Sequence, residues 1–394
     1  MPVLREVGAG IQLSPNATQL FKAWGISEAV EEEAYKPEEG TLYSYRGHAV
    51  AKTSSGIAVE RAYGAPYLVI HRADLLNVLL AKARASGVQI LLGSNVVSLD
   101  LSAPSITLAD GKVYSGDVIL GADGERSSCR DALFGYPDLP QATGDIVYRV
   151  AVPGRNMLET DLTRHLLHKP SVNLWMGPDS HTVSYILRKD NILNVVLICP
   201  DKAAKNAPFG PQRASVEELQ EAFCNWDPVF TALLHVPGSE LAKWSLLEIK
   251  EVSEWVHPEG RFALVGDAAH AMLPYLAQGA AQAFEDAGVL GTLFRLIEDP
   301  SHVPDVLRIY EKMRKPRARE IRNRTLGQKK TYGLQDGPRQ EERDIKLAAD
   351  VPIEGHPNAL EDPVFQKWLW GYDAISESEN AWRSFLQESK AISE

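Results

Sequence analysis

Cysteine is scarce in this chain: three among 394 residues, Cys129, Cys199 and Cys224, with no CxxC pair and no Cys/His ligand spacing. That excludes a disulfide framework and a structural zinc site, leaves no metal to expect, and fits a reducing compartment. Positive charge is also short, with 41 Lys and Arg against 52 Asp and Glu and a net charge of −11. Neutralising a phosphate backbone takes clustered excess cations, so nucleic acid is excluded as a partner and small molecules are favoured. No apolar run reaches the ~18 to 20 residues needed to span a bilayer. The first residues, Met1-Pro2-Val3-Leu4-Arg5, lack the basic stretch and apolar run of a secretory leader. The expectation is a cytoplasmic protein without a transmembrane segment. Repeats and low-complexity blocks are missing too, so no linker marks a domain boundary.

What is present is an ordinary globular composition, 44% hydrophobic over 394 residues, enough for a sizeable core and more consistent with two domains than one. The spacing predicts a helix from Asn16 to Trp24 ended by Gly25, and a second from Arg72 to Ala85 closed near Gly87. Strand patterns follow at Val88 to Leu92, Val96 to Leu101 and Val118 to Leu120, the last running into Gly121-Ala122-Asp123-Gly124. The stretch from Asp145 to Pro200 reads as antiparallel sheet, with strands at Ile146 to Val152, Val172 to Met176, His181 to Leu187 and Leu193 to Cys199. Ser215 and Glu218 form a capping box for a helix toward Phe223, and Phe262 to Val265 is a buried strand entering Gly266-Asp267. Helices are expected from Ala280 to Ile297 and Pro304 to Arg324, then a tail of short helices. The basic stretch Lys312 to Lys330 reads as a solvated helix face.

The strongest motif is Leu264-Val265-Gly266-Asp267-Ala268-Ala269-His270, continuing through Pro274, Gln278, Gly279 and Ala280 into a helix. A strand end sets the Asp267 carboxylate at a cleft edge, where it can accept a hydrogen bond from a sugar-like hydroxyl, and Gly266 lets a ligand approach the backbone closely. The N–H groups and dipole of the helix opening at Gly279 favour an electron-rich ring edge. This run, GDAAHAMLPYLAQGAAQAFEDA, resembles the ribityl motif of the class A flavoprotein monooxygenases, the flavin-dependent aromatic hydroxylases, and is most similar to the salicylate-hydroxylase type. The resemblance extends into the tail, PNALEDPVFQKWLWGYDA. It implies that Gly266, Asp267, Gly279 and Ala280 hold FAD, while His270 is structural and not a base. Asp123-Gly124-Glu125-Arg126-Ser127-Ser128-Cys129-Arg130 is similar to the family's DGxxSxxR pattern, implicated there in both FAD and NAD(P)H contacts, which makes Asp123 a candidate cofactor-binding residue. Ala9 and Gly10 resemble a loop passing near the flavin, and Arg72 a helix-start arginine that reaches the FAD phosphate or ribityl chain.

The family also implies an N-terminal βαβ unit of roughly 30 residues carrying GxGxxG, which does not occur here: position 13 is Leu. On the resemblance, Met1 falls shortly after that unit, and the parallel sheet is expected to lack its middle strand. The family mechanism is hydroxylation by a flavin C4a-hydroperoxide, with NADH or NADPH as electron donor and a small aromatic substrate and molecular oxygen as partners. It places the ring near Pro274. His181 and Tyr185, spaced for one strand face, are candidate base or phenol-orienting groups, and Arg149 a candidate anion partner. The implied fold is α/β, a glutathione-reductase-like FAD/NAD(P)-binding domain with an inserted β-rich substrate domain and C-terminal helices. Its divisions are FAD-binding over 1–140 and 251–335, substrate sheet over 141–250 and helical tail over 336–394. The competing reading is a flavin-free isomerase, cyclase or binding protein on the same scaffold, or an inactive product.

Overall fold

The computed structural model describes residues 10–54, 56–159, 161–187, 191–201 and 210–393; Ala9 lies outside them. Its largest sheet has eight strands in the order Gln212–Arg213, Glu240–Glu248, Gln141–Pro153, Ile192–Pro200, Ser180–Leu187, Ser171–Gly177, Glu39–Ser44 and Ala49–Thr53. Neighbours run antiparallel except Ser171–Gly177 and Glu39–Ser44, which are parallel. Alternation sorts the side chains to two faces. Ile146, Tyr148, Val150 and Val152 pack against Leu219, Phe230 and Leu233 of two short helices. On the opposite face Val147, Ile198 and Leu246 meet Leu273 and Tyr275, which belong to the loop following Asp267. That second face sets the position of the candidate site.

The other half is built around the helix Gly279–Leu296. Helices Pro15–Ala23, Val303–Tyr332 and Ala374–Ser393 pack against it. Gly288 admits the helix Pro15–Ala23, since a Cβ there would stand 2.8 Å from Leu20 Cδ2, and Phe21 meets Phe284 edge to face at 5.0 Å. Beside this bundle the strands Ile119–Gly121 and Phe262–Leu264 pair in parallel, and Val96–Asp100, Ser105–Leu108 and Val113–Ser115 form an antiparallel meander. Gly10–Leu13, Leu68–His71 and Ala34–Tyr35 make a further small sheet.

The helices expected from Asn16 and from Arg72 are present as Pro15–Ala23 and Arg72–Ala85, with Gly25 and Gly87 at positive φ behind them. The four strands expected between Asp145 and Pro200 are all present, as is the Ser215/Glu218 capping box. Three expectations need correction. Val88 to Leu92 is not a strand: Val88, Leu91 and Leu92 are exposed and have no ladder partner among the described residues, and an apolar run without a partner has nothing to fix it as sheet. The tail is not all short helices, because Ala374–Ser393 spans 20 residues. The basic stretch is not simply a solvated face: Arg314 and Arg317 of the helix Val303–Tyr332 are buried, facing acids on the neighbouring helix.

Candidate active site

Two parallel strands bring the two strongest motifs together. Phe262–Leu264 and Ile119–Gly121 run side by side, Leu264 opposite Gly121, so the turns after them, at Gly266-Asp267 and Asp123-Gly124, leave the sheet at the same edge. Arg130 ties them. Fully buried, it donates from Nη1 to the Ala268 carbonyl at 3.0 Å and from Nη2 to the Glu125 carbonyl at 2.8 Å, while its Nε donates to Asp138 at 3.0 Å. Asp123 is occupied by its own turn: its carboxylate accepts from the Ser127 hydroxyl, the Ser128 hydroxyl and the Cys129 N–H. Burial pushes this carboxyl up, but those hydrogen bonds outweigh it and hold the acid below its usual value.

At the second turn Gly266 takes φ 60° and ψ −139°, a region open to glycine and costly for other residues. Its N–H donates to Asp286 Oδ2 at 2.9 Å. Asp267 is exposed, and a Cβ on Gly279 would meet only Asp267 Oδ1, at 3.9 Å. No side chain caps the helix Gly279–Leu296 that opens there. The turn thus presents a free carboxylate, a bare Cα and an uncapped helix N-terminus side by side: an acceptor for a polyol hydroxyl and donors for an electron-rich ring edge. These residues fit the ribityl chain and ring edge of a flavin. Arg72, exposed at its helix start, stands near Tyr185, whose phenol feels the charges of both Arg149 and Arg72.

A buried ionic cluster holds this turn in place. Glu285 and Asp286, adjacent on the helix Gly279–Leu296 and both fully buried, face Arg314 and Arg317. Asn16 donates to Glu285 at 2.6 Å and to Gln278 at 3.1 Å, so the first helix is pinned to the start of the central one. His270 Nε2 lies 2.6 Å from Asp286 Oδ2, which makes this histidine part of the frame, as the resemblance implies. Burial pushes the Asp286 carboxyl up, yet His270 and Arg314 win and hold it at about 2.

Between the loop and the eight-stranded sheet lies a cavity of about 120 Å³, bordered by Pro274, Tyr275, Leu276, His181, Tyr67 and Tyr332 among others. Apolar cavities of roughly 150 Å³ take up a benzene ring. The Tyr67 hydroxyl donates to Gln12 at 2.7 Å, and the Tyr275 hydroxyl to Asp145 Oδ2 at 3.0 Å. Burial drives the His181 imidazole down to about 3, helped by the nearby Lys329 charge, so it is neutral at ordinary pH. Glu361, whose carboxyl burial pushes up against the pull of the Ser54 hydrogen bonds, closes the far side.

Pro274 and His181 are therefore brought to one cavity, while Tyr185, further along the same strand, packs elsewhere: a Cβ on Gly10 would sit 2.2 Å from its ring. Gly266, Asp267, Gly279 and Ala280 cluster at one turn; Asp123 stands at the same sheet edge, and Gly10 and Arg72 gather around Tyr185. Sequence reasoning set Arg130 in the DGxxSxxR pattern of cofactor contacts, whereas here it donates to the Ala268 and Glu125 carbonyls; it assigned no role to the Glu285/Asp286 cluster, Tyr275 or Asp145. Two acids inside an apolar helix, with arginines three residues apart on the next, were the available signal for the cluster.

Comparison with known proteins identifies the family. The sequence profile of the family described as "FAD binding domain" matches residues 8–325. The chain belongs to that family of FAD-dependent monooxygenases. The FAD-dependent monooxygenase OpS4 of Beauveria bassiana is 38% identical over 389 residues, covering 96% of this chain and 90% of that protein. The 3-amino-4-hydroxybenzoate 2-monooxygenase PtnB3 of Streptomyces platensis is 32% identical over 94% of this chain and 88% of its own length. A solved salicylate hydroxylase in a substrate complex superposes with a TM-score of 0.77 at 26% identity, over 95% of this chain and 90% of that one. The monooxygenase therefore has the α/β fold expected from sequence, and its family argues against the reading as a flavin-free scaffold.

Proposed function

We propose that this monooxygenase hydroxylates a small aromatic ring bearing a hydroxyl group, with molecular oxygen as co-substrate and NADH or NADPH as electron donor. The observation that carries the reading is Pro274: it belongs to the loop joining the Asp267 turn to the Gly279 helix and also borders the cavity. The place that fits a flavin and the place that fits a ring thus share one wall. FAD, when bound, supplies the redox chemistry and the activation of oxygen. Gly266, Asp267, Gly279 and Ala280 would hold its ribityl chain and ring edge, with Arg72, Asp123 and Gly10 contributing around them.

The chain's own residues do the rest. Leu42, Leu174, Leu276 and Trp370 give the cavity apolar walls, which hold a ring and keep water out. Tyr67, Tyr275 and the neutral His181 offer hydrogen-bond partners for a ring hydroxyl. We assign flavin binding to 1–140 and 251–335, and the substrate to the sheet of 141–250, with the strands Glu39–Ser44 and Ala49–Thr53 completing that sheet. The relative from Streptomyces platensis, named for an aminohydroxybenzoate, supports a substituted phenol as the substrate class.

The test is to load the full chain with FAD, remove excess by gel filtration, and follow NADH and NADPH oxidation with a panel of phenols. A yellow protein whose oxidation rate rises on adding a phenol is expected. Retained FAD with a rate that no phenol accelerates would sink the phenol reading.

A further inference from the structure

The walls of the cavity carry charge of one sign. Among the described residues that border it, Glu39 and Glu361 are acids and none is Lys or Arg, while burial holds His181 neutral. Lys329, whose charge reaches His181, is paired with Asp145. Glu39 is partly exposed and lies 3.9 Å from Lys169, so solvent and that cation weaken its field. Glu361 differs. Among the described residues no Lys or Arg pairs with it, and its carboxylate accepts from the Ser54 N–H at 3.0 Å and the Ser54 hydroxyl at 2.7 Å. Burial raises this carboxyl above its ordinary value, and the two hydrogen bonds pull back toward the anion. Its charge acts inward: the phenol of Tyr332, which also borders the cavity, is raised by burial first and by Glu361 next. The helix Gly56–Tyr63 opens at the same wall, and a helix start favours an anion, but the Ser54 N–H just before it is already taken by Glu361.

Resting on the proposed phenol hydroxylation, we infer that Glu361 makes this cavity select an uncharged phenol and refuse a ring that carries a carboxylate. A benzoate entering it would leave water for walls that hold no cation to pair with and an acid of its own sign. An unpaired carboxylate is far more costly to bury than a neutral polar group, and a like charge set against a ligand is a means of rejecting it. An uncharged hydroxyl, amine or amide substituent meets neither penalty. The relatives compared above are named for salicylate and for an aminohydroxybenzoate, both carboxylates, so the charge of this cavity sets its substrate apart from the compounds in those names. Glu361 acts here as a specificity determinant and takes no part in bond making.

The test is a matched pair of probes, 3-hydroxybenzoate and 3-hydroxybenzamide, which differ by one charge in nearly the same shape. Each is titrated calorimetrically into the FAD-loaded full chain at neutral pH, where the benzoate is an anion. The wild type should bind the amide about tenfold or more tighter than the acid. E361Q, whose amide oxygen can still accept from Ser54, should narrow that gap severalfold, chiefly by tightening the acid, and E39Q should narrow it less. Thermal melts identify any variant that fails to fold, and E361A gives the same comparison with a smaller side chain. Wild-type protein that binds the acid as tightly as the amide, or tighter, overturns the selection while leaving the phenol reading intact. A gap that folded E361Q and E361A both leave unchanged overturns the role of Glu361. If neither probe binds the wild type, the phenol reading fails and this inference with it.

Discussion

The flavin site proposed at the Gly266 turn rests on a single carboxylate. Asp267 is exposed beside the bare Cα of Gly279, and a hydrogen bond to a charged acceptor contributes about 1.5–3 kcal/mol. Asp267→Ala should therefore weaken FAD binding roughly tenfold to a hundredfold by the tenfold-per-1.4-kcal/mol rule, measured by quenching of flavin fluorescence, with little change in melting temperature of the apoprotein. The role of His181 is separable by pH. Its folded-state value is about 3 against an ordinary 6.5, so between those pH values the unfolded chain binds more protons than the folded one, and stability falls as pH drops. Above pH 6.5 this contribution is fully present. His181→Asn should flatten the pH dependence of denaturant-unfolding stability between about pH 6.5 and 3; an unchanged slope would show that His181 is not the buried neutral group described.

Among the elements, the packed trio of Pro15–Ala23, Gly279–Leu296 and Val303–Tyr332 sets the geometry of the Gly266 turn. Its ionic cluster is fully buried, and removing one partner of such a cluster leaves an uncompensated charge, at a cost of about 3–5 kcal/mol. Arg314→Met should lower stability by about that amount, more than the same change at the exposed Arg308. The acid side of the cluster gives a second signature. Asp286 is held at about 2 against an ordinary 3.8, so its contribution is complete above pH 3.8 and is lost as pH falls toward 2. Acid unfolding should steepen in that window, and Asp286→Asn should remove the steepening.

Across the whole molecule, legibility followed the range of the forces involved. Local rules placed the helix Arg72–Ala85 and the four central strands, because period, caps and turn glycines act within a few residues. The Asp267 turn was legible because strand, glycine and helix start lie consecutively in the chain. What sequence could not show is set by distance: Asp145 meets Tyr275 across 130 positions, and Arg130 reaches Ala268 across 138. The apolar run Val88 to Leu92 read as a strand since composition reports appetite for burial but not whether a partner is there. Arg314 and Arg317 read as solvent-facing because their acids lie on another helix.

The central claim is that this chain places one oxygen atom from O₂ on a phenolic ring bound beside Pro274. The most direct test is turnover of the FAD-loaded protein with NADH or NADPH and an accepted phenol under ¹⁸O₂, with mass spectrometry of the product. The account predicts a hydroxylated product carrying one ¹⁸O atom and unlabelled product in H₂¹⁸O under ordinary oxygen. A product that takes its new oxygen from water, or NAD(P)H consumption yielding only hydrogen peroxide with every phenol, would contradict it.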